Sequence, residues 1–437
     1  MTGIHLERTR QVKRCVAVLT FGVTAAFLLA SDFSGRAALD YAAAAATPRP
    51  AATATPKASP TATPRPSPTA TPSPTPAPVG NSLVVLGYND LGMHCMNQDF
   101  SELVILPPYN TLHAQVIDRS GEEPKIVSSG VTVQYSIPGN TRSSTKTNFW
   151  LFAPFLFGAN LPNDIGLTGN GLTGTMKPTG TNDWSVTGIP ITPITDSGTE
   201  NPYQLASIKV LRSGQQLAQT QAVVPVSWEI SCNICHNTPG IAPTIDILRK
   251  HDLRHGTQLE MHRPVLCASC HADPALGAPG KTGVSNLSQA MHSSHANRMA
   301  QANLSNSCYA CHPGQRTQCL RDVHFSKGMD CNSCHVSMAA VGSPNRRPWV
   351  DEPRCTDCHN KAGHEYEQPN TLYRDSKGHG NVHCAACHGS PHAITPTVQP
   401  ADNVQAIQWQ GYPGTLNKCA VCHKQSPGSW FPHRRDT

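Results

Sequence analysis

The pattern Cys-x-x-Cys-His occurs seven times in this chain of 437 residues. The copies are Cys232-Cys235-His236, Cys267-Cys270-His271, Cys308-Cys311-His312, Cys331-Cys334-His335, Cys355-Cys358-His359, Cys384-Cys387-His388 and Cys419-Cys422-His423. The frequencies of cysteine and histidine predict about 0.03 copies by chance, so the seven copies are not a chance occurrence. Fourteen of the 17 cysteines belong to it.

The spacing of each motif matches one kind of cofactor attachment. Two thiols separated by two residues form thioethers with the two vinyl groups of one heme, and the adjacent histidine reaches the iron. Zinc knuckles do not require a histidine after every second cysteine. Redox dithiols occur singly, and a disulfide framework does not need seven identical spacings. The motifs therefore predict seven c-type hemes, with these cysteines as attachment points and these histidines as proximal iron ligands.

Composition agrees with an interior filled by cofactors. Hydrophobic residues make up 38% of the chain, and there are 33 glycines and 38 prolines. The segment between the first and last motif has short helical signals and loops rich in Gly, Pro and Asn. A segment this poor in apolar residues folds only if something else fills its core, and seven flat, largely apolar hemes would do so.

The N-terminal segment predicts export. Residues 8–14 contain four basic side chains and the apolar run 15–30 follows, so we interpret 1–46 as a signal peptide or membrane anchor. Residues 47–78 form a Pro/Thr-rich linker without large apolar side chains. We expect the remainder of the chain to lie outside the cytoplasm, in the periplasm, at the cell surface or beyond it.

Two further domains are predicted. Residues 79–231 form a β-rich domain, an antiparallel sandwich or barrel, with strands expected at 82–90, 131–138, 147–152, 206–213 and 221–230. Residues 232–437 form a mostly irregular, short-helix heptaheme cytochrome c domain. Helices are expected at 244–259 and at 286–302, the second capped by Ser285.

Surplus histidines could supply the sixth ligand of each iron. Eleven lie among the motifs: His251, His255, His262, His292, His295, His324, His364, His379, His383, His392 and His433. Residues three or four apart on a helix share a face, as in the His251/His255 and His292/His295 pairs. Met299 and Met338 are further candidates for the sixth ligand of an iron. Iron with two histidine ligands has no open position, which favours electron transfer over substrate binding.

Two cysteines, Cys95 and Cys319, stand outside both the repeat and the N-terminal segment. Three interpretations stay open. The pair could form a disulfide between the two domains, because an exported chain meets an oxidising compartment. Cys95 could bind copper with Met93, His94 and Met96, although neighbouring strand residues face opposite sides. Both could be ordinary buried residues.

Beyond the motifs, several stretches resemble the exported multiheme c-type cytochromes of metal-reducing and related bacteria. These include HDLRHGTQL, AMHSSHA, CHPGQRTQCLRDV, LYRDSKGHG and CHGSPHA, with YNDLGMHCM and ILPPYNTLHAQVI in the β-rich region. The resemblance implies closely spaced hemes. It also implies distal ligands at His251, His255, His292, His295, His379 and His392. His324, which matches no pattern, would complete seven.

The sequence therefore predicts an electron carrier with mainly bis-histidine hemes and no catalytic residues, rather than an enzyme that converts a substrate. Its partners would be redox proteins, an extracellular acceptor or further copies of itself, with membrane contact only through an N-terminal anchor. The formal charge of +6 does not indicate nucleic-acid binding, because fourteen heme propionates would reverse it. Two alternatives are a reductase with one open heme iron and a heme-containing filament subunit.

Overall fold

The computed structural model describes residues 82–428 and His433. The predicted signal or anchor and the Pro/Thr-rich linker lie outside the described residues. All described residues belong to one compact unit, Arg65–Thr437. None of the helices within the described range is both long and apolar enough to cross a membrane.

Strands dominate the first part of the described chain. They are β1 Leu83–Tyr88, β2 His94–Cys95, β3 Leu103–Val104, β4 Thr111–Asp118, β5 Lys125–Val127, β6 Thr132–Ser136, β7 Thr173–Thr175, β8 Lys177–Pro178, β9 Trp184–Thr187, β10 Tyr203–Arg212, β11 Gln215–Ser227 and β12 Val265–Leu266. The helices are α1 Phe149–Phe157, α2 Pro243–His255, α3 Leu287–Gln301, α4 Val323–Ser326, α5 Cys331–His335, α6 Met338–Val341, α7 Cys384–His388 and α8 Val404–Gln410.

Ten of the strands form two five-stranded sheets, and β3 pairs in parallel with β12 in a separate two-stranded sheet. The first has the order β1-β4-β9-β8, with β5 paired to β4, and the second has the order β2-β11-β10-β6-β7. All pairs within the two five-stranded sheets are antiparallel except β2 with β11. Side chains of both sheets, among them Val85, Val116, Ile208 and Val224, meet in one apolar core. The region is therefore sheet-rich and sandwich-like, as predicted.

One predicted strand is wrong. Residues 147–152 were expected to be extended, but α1 occupies Phe149–Phe157. Phe149 and Ala153, four residues apart, are its buried residues, which is the spacing of one helical face. Gly158 ends the helix with a φ of 64°, a left-handed conformation that glycine adopts without strain. The aromatic and aliphatic residues of α1 fit a strand equally well, so the local sequence pattern does not distinguish a helix from a strand here.

Two longer helices organise the second part of the chain, as expected. In α2, Pro243 stands in the first turn and Gly256 ends the helix in the left-handed conformation. In α3, the cap is Asn286 and not Ser285, because the Asn286 side chain accepts a hydrogen bond from the Gln289 N–H at 2.8 Å. Apart from the seven-residue α8, the other helices of this part are single turns joined by irregular segments.

Buried hydrogen bonds and one buried ion pair join the sheets to the motif-bearing segment. The Glu229 carboxylate, just after β11, accepts backbone N–H bonds from Gln315 at 2.7 Å and Thr317 at 2.6 Å. Arg321 is fully buried and pairs with Asp402 at 2.6 Å. Its guanidinium also donates to the Gly92 carbonyl at 2.6 Å. These bonds fix the motif segment against the end of the second sheet.

Both faces of β1 are covered. One face contributes Leu83 and Val85 to the core between the sheets. The other places Val84 and Leu86 against Ala385, in the sixth motif, within a second apolar cluster. A strand buried on both sides is a continuous apolar run instead of an alternating one, and LVVLGY has that character. The motif segment therefore supplies the cover for the first sheet.

Candidate heme sites

Each motif folds as a single helical turn. The turns are Cys232–Ile234, Cys267–Ser269, Ser307–Ala310, Cys331–His335, Cys355–Asp357, Cys384–His388 and Cys419–Val421. In five of them the motif histidine N–H donates to the carbonyl of the first cysteine at 2.8–3.0 Å. Residues three apart on such a turn lie on one side, so both thiols can reach the same cofactor while the next residue projects its imidazole toward it.

A histidine from outside the motifs lies beside every motif histidine. We number the sites by motif order. The couples are His236/His295 at site 1, His271/His251 at site 2, His312/His292 at site 3, His335/His392 at site 4, His359/His324 at site 5, His388/His433 at site 6 and His423/His379 at site 7. Their ring centroids are 5.6–6.4 Å apart.

This separation is the one that axial ligation of a single metal would impose. Two metal–nitrogen bonds of about 2 Å and two ring radii of about 1.1 Å place the centroids about 6 Å apart. Direct ring stacking does not explain the couples, because their interplanar angles range from 17° to 87°. The spacing leaves room for one iron between each pair of rings.

Hydrogen bonds orient many of these rings. In seven of them Nδ1 lies within 3.3 Å of an oxygen atom of another residue. The pairs are His236 with Asp246, His271 with Ser285, His251 with Thr257, His292 with Ser288, His295 with Met291, His324 with Asp322 and His433 with Glu365. Where the partner is a carbonyl or carboxylate oxygen, Nδ1 carries the proton and Nε2 keeps its lone pair. A second-shell partner of this kind typically fixes the ring of a metal-binding histidine.

The electrostatic setting favours neutral imidazole. Burial, followed by the charges of neighbouring histidines, lowers the pKa of His312, His388 and His392 to about 4. Burial likewise lowers the pKa of His292 and His335. Only the neutral ring can offer a lone pair to a metal, so these residues are in the ligand form at neutral pH.

The structure brings six of the seven histidines chosen from the sequence beside a motif histidine: His251, His292, His295, His324, His379 and His392. The exception is His255. It is exposed, and its ring packs on His251 at 4.8 Å and not on a motif histidine. His433 lies beside His388 in its place. No local pattern distinguishes His433, because its place beside His388 depends on folding between residues 45 positions apart in the sequence.

The β-rich histidines have other partners. Asp90 holds His94 Nε2 at 3.2 Å, and Asp183 holds His113 Nδ1 at 2.8 Å. Met96 belongs to the core between the sheets. Across residues 82–428 and His433, no cluster of three or more His, Cys, Asp or Glu side chains is arranged to hold a bare metal ion. The copper ligands suggested around Cys95 are thus divided, because His94 contacts Asp90 and Met96 lies in the core between the sheets.

The motif segment has little core of its own. Of the buried apolar residues in the described chain, only twelve lie beyond residue 231, and seven of those are alanine. The β-rich part, by contrast, buries large side chains such as Phe100, Phe149 and Ile208. Small residues around paired imidazoles leave space for flat cofactors, so the residues present fit heme.

Comparisons with known proteins add little. No family model matches the chain, and no curated protein matches it. Among solved structures, MtrC from Shewanella baltica OS185 is 16% identical, with a TM-score of 0.15. The match covers 63% of this chain and 43% of that one, so this chain spans less than half of its length. At that TM-score the likeness carries no argument about fold or function.

Proposed function

We propose that this protein is a multiheme c-type cytochrome that binds seven hemes covalently and transfers electrons between them. The observation that carries the proposal is the set of seven couples, each joining one motif histidine to one histidine from elsewhere at 5.6–6.4 Å. The cysteines named in the motifs attach the hemes. The fourteen paired histidines are the iron ligands, with His433 taking the place of His255.

When bound, heme supplies a one-electron ferric–ferrous couple whose potential depends on its axial ligands and surroundings. The histidine couples would close both axial positions at every site. This supports a carrier over the alternative of a reductase, which needs an open iron. All fourteen ligands come from this one chain, so closing the sites does not require histidines from a neighbouring filament subunit.

Shared elements define the order of the first sites. His292 and His295 lie on α3 and face sites 3 and 1, which makes these two sites neighbours. The Ser231 N–H donates to the Ala310 carbonyl at 3.1 Å, which joins the same two motifs. Site 2 adjoins site 1 through α2, because that helix carries both His251 and the Asp246 carboxylate that holds His236.

Contacts between named residues join the remaining sites. Sites 3 and 4 meet where the Asn306 side-chain amide, just before Cys308, donates to Cys331 Sγ at 3.9 Å. Sites 4 and 5 meet where the Val323 N–H, next to His324, donates to the Ile394 carbonyl at 3.0 Å, two residues after His392.

Sites 5 and 6 share Tyr366, whose ring centroid lies 5.8 Å from that of His359 and 5.2 Å from that of His433. Sites 6 and 7 meet where the Leu416 N–H donates to the Cys387 carbonyl at 3.0 Å. Ala386 and Val421, in the sixth and seventh motifs, also belong to one apolar cluster.

These contacts support an unbranched series of sites in the order 2-1-3-4-5-6-7. Sites 2 and 7 are its ends, so we propose that electrons enter and leave there. The partner at one end would be a redox protein, and the acceptor at the other end would be a second redox protein or an extracellular acceptor. This location outside the cytoplasm rests on the predicted signal or anchor.

Electron paramagnetic resonance of the purified ferric protein, with heme quantified in the same sample, tests the proposal. We expect seven hemes per chain and only low-spin signals. A stoichiometric high-spin signal would favour the reductase alternative. Fewer than seven covalent hemes would overturn the assignment of the motifs. Spectra at several protein concentrations test the filament alternative, since ligands supplied by a neighbour would be lost on dilution.

A further inference from the structure

Cys95 and Cys319 both lie at the junction of the sheets with the motif segment. β2 pairs in parallel with the end of β11, which places Cys95 opposite Ser227. Residues opposite each other in a sheet project to the same face. The Ser227 hydroxyl contacts the Thr317 hydroxyl at 2.9 Å, so that face is turned toward the segment containing Cys319.

A second connection comes from the buried Arg321. Its Nη1 donates to the Gly92 carbonyl at 2.6 Å and to the Cys319 carbonyl at 3.2 Å. One guanidinium nitrogen therefore holds the chain just before Cys95 together with the backbone of Cys319. The Cys319 N–H also donates to the Pro313 carbonyl at 3.1 Å, which fixes the loop.

Neighbouring groups desolvate both thiols, although each cysteine as a whole residue is half-buried. Burial raises the pKa of Cys95 to about 12, and the nearby Cys319 is the next cause of that rise. Burial raises the pKa of Cys319 to about 11. Both residues are thiols in the structure. On the proposed function, every other cysteine among the described residues is consumed by a heme, which leaves these two sulfurs as each other's only available partner.

We propose that Cys95 and Cys319 form a disulfide in the mature exported protein; this inference rests on the proposed function. Formation is thiol–disulfide exchange: the two thiols transfer two protons and two electrons to the disulfide of an exported thiol oxidant. One S–S bond forms in this chain as the oxidant's S–S bond breaks to give a dithiol. Because the thiolate is the attacking species, exchange occurs before the two sulfurs are buried.

Mass spectrometry of the full-length holoprotein, purified without reductant, tests the bond. The protein is denatured, alkylated with iodoacetamide and digested with trypsin, which releases Cys319 in fragment 317–321. We expect this fragment to be joined to the one containing Cys95 and to be released by a phosphine reductant. Recovery of both cysteines alkylated without reductant overturns the inference, as does a bond from Cys319 to Cys331.

Heme content separates this inference from the proposed function. Seven hemes together with free Cys95 and Cys319 would refute the disulfide alone. Motif cysteines found in disulfides, with hemes missing, would refute the proposed function.

Variants supply a second readout. Cys95→Ser and Cys319→Ser should each lower the midpoint of thermal unfolding by the same amount, and the double variant should lower it no further. Reductant should abolish the difference from the wild type. Additive effects of the two substitutions, or effects that persist under reductant, would indicate packing without a bond.

Discussion

The imidazole rings of His388 and His433 lie 5.6 Å apart between their centroids, although 45 positions separate the two residues in the chain. Glu365 holds His433 from the other side, because its carbonyl accepts from His433 Nδ1 at 2.7 Å and its N–H donates to the His433 carbonyl at 2.8 Å. His433 is therefore held beside the motif histidine of the sixth site.

His433→Ala tests this relationship. Removing the second imidazole should leave the iron at site 6 with an open position, so about one seventh of the ferric iron should become high-spin. Electron paramagnetic resonance and carbon monoxide binding measure the change. The matched control is His255→Ala, which removes an exposed histidine from the HDLRH sequence. A high-spin signal from His255→Ala, with none from His433→Ala, would reverse our assignment.

The two histidines of α3 should act on separate sites. His295→Ala should open site 1 only, and His292→Ala should open site 3 only, because their rings face His236 and His312 respectively. Each single variant should convert one iron to high spin and the double variant two. Heme quantification should still give seven in every case, since the cysteines are intact. Loss of both low-spin signals in either single variant would contradict the assignment.

The buried Arg321–Asp402 pair should contribute strongly to stability. Its side chains are 0% and 2% exposed, and Asp402→Ala would leave a buried guanidinium without its carboxylate. Such a loss typically costs about 3–5 kcal/mol of unfolding free energy. Denaturant titration followed by circular dichroism measures the cost.

The control for this pair is Asp351→Ala. It removes the partner of Arg347, whose side chain is 73% exposed, and should cost less than about 1 kcal/mol. Equal costs for the two substitutions would show that burial of the Arg321 pair does not matter.

Asp183 should make the fold sensitive to acid. Burial tends to raise its pKa, but hydrogen bonds from His113, Thr179 and Thr181 outweigh that effect and hold the pKa well below its usual value. A carboxylate whose pKa is depressed on folding stabilises the folded state above its unfolded pKa, about 3.9, and loses that contribution as pH falls.

The unfolding free energy of the wild type should therefore decline more steeply below about pH 4 than that of Asp183→Asn. Denaturant titrations from pH 2.5 to 6 compare the two proteins. Parallel pH profiles would mean that Asp183 is not selectively stabilised in its ionised form.

Much of the site could be predicted from the sequence because covalent attachment has a local rule. Two thiols and an imidazole must lie on one turn, so the seven motifs are visible without any tertiary information. Helices α2 and α3 were predictable for a similar reason, since capping and periodicity are local. The strand expected at 147–152 failed because its apolar run does not distinguish a helix from a strand.

Tertiary structure decided which histidines face the motif histidines and in what order the sites follow one another. An axial ligand needs only one nitrogen at the right distance, so it can come from any segment that passes by. His255 matches a sequence pattern yet packs on His251, whereas His433 matches none and faces His388. Sequence alone determined what each site is built to hold, because that chemistry is local; folding decided how the sites are completed, because that geometry is not.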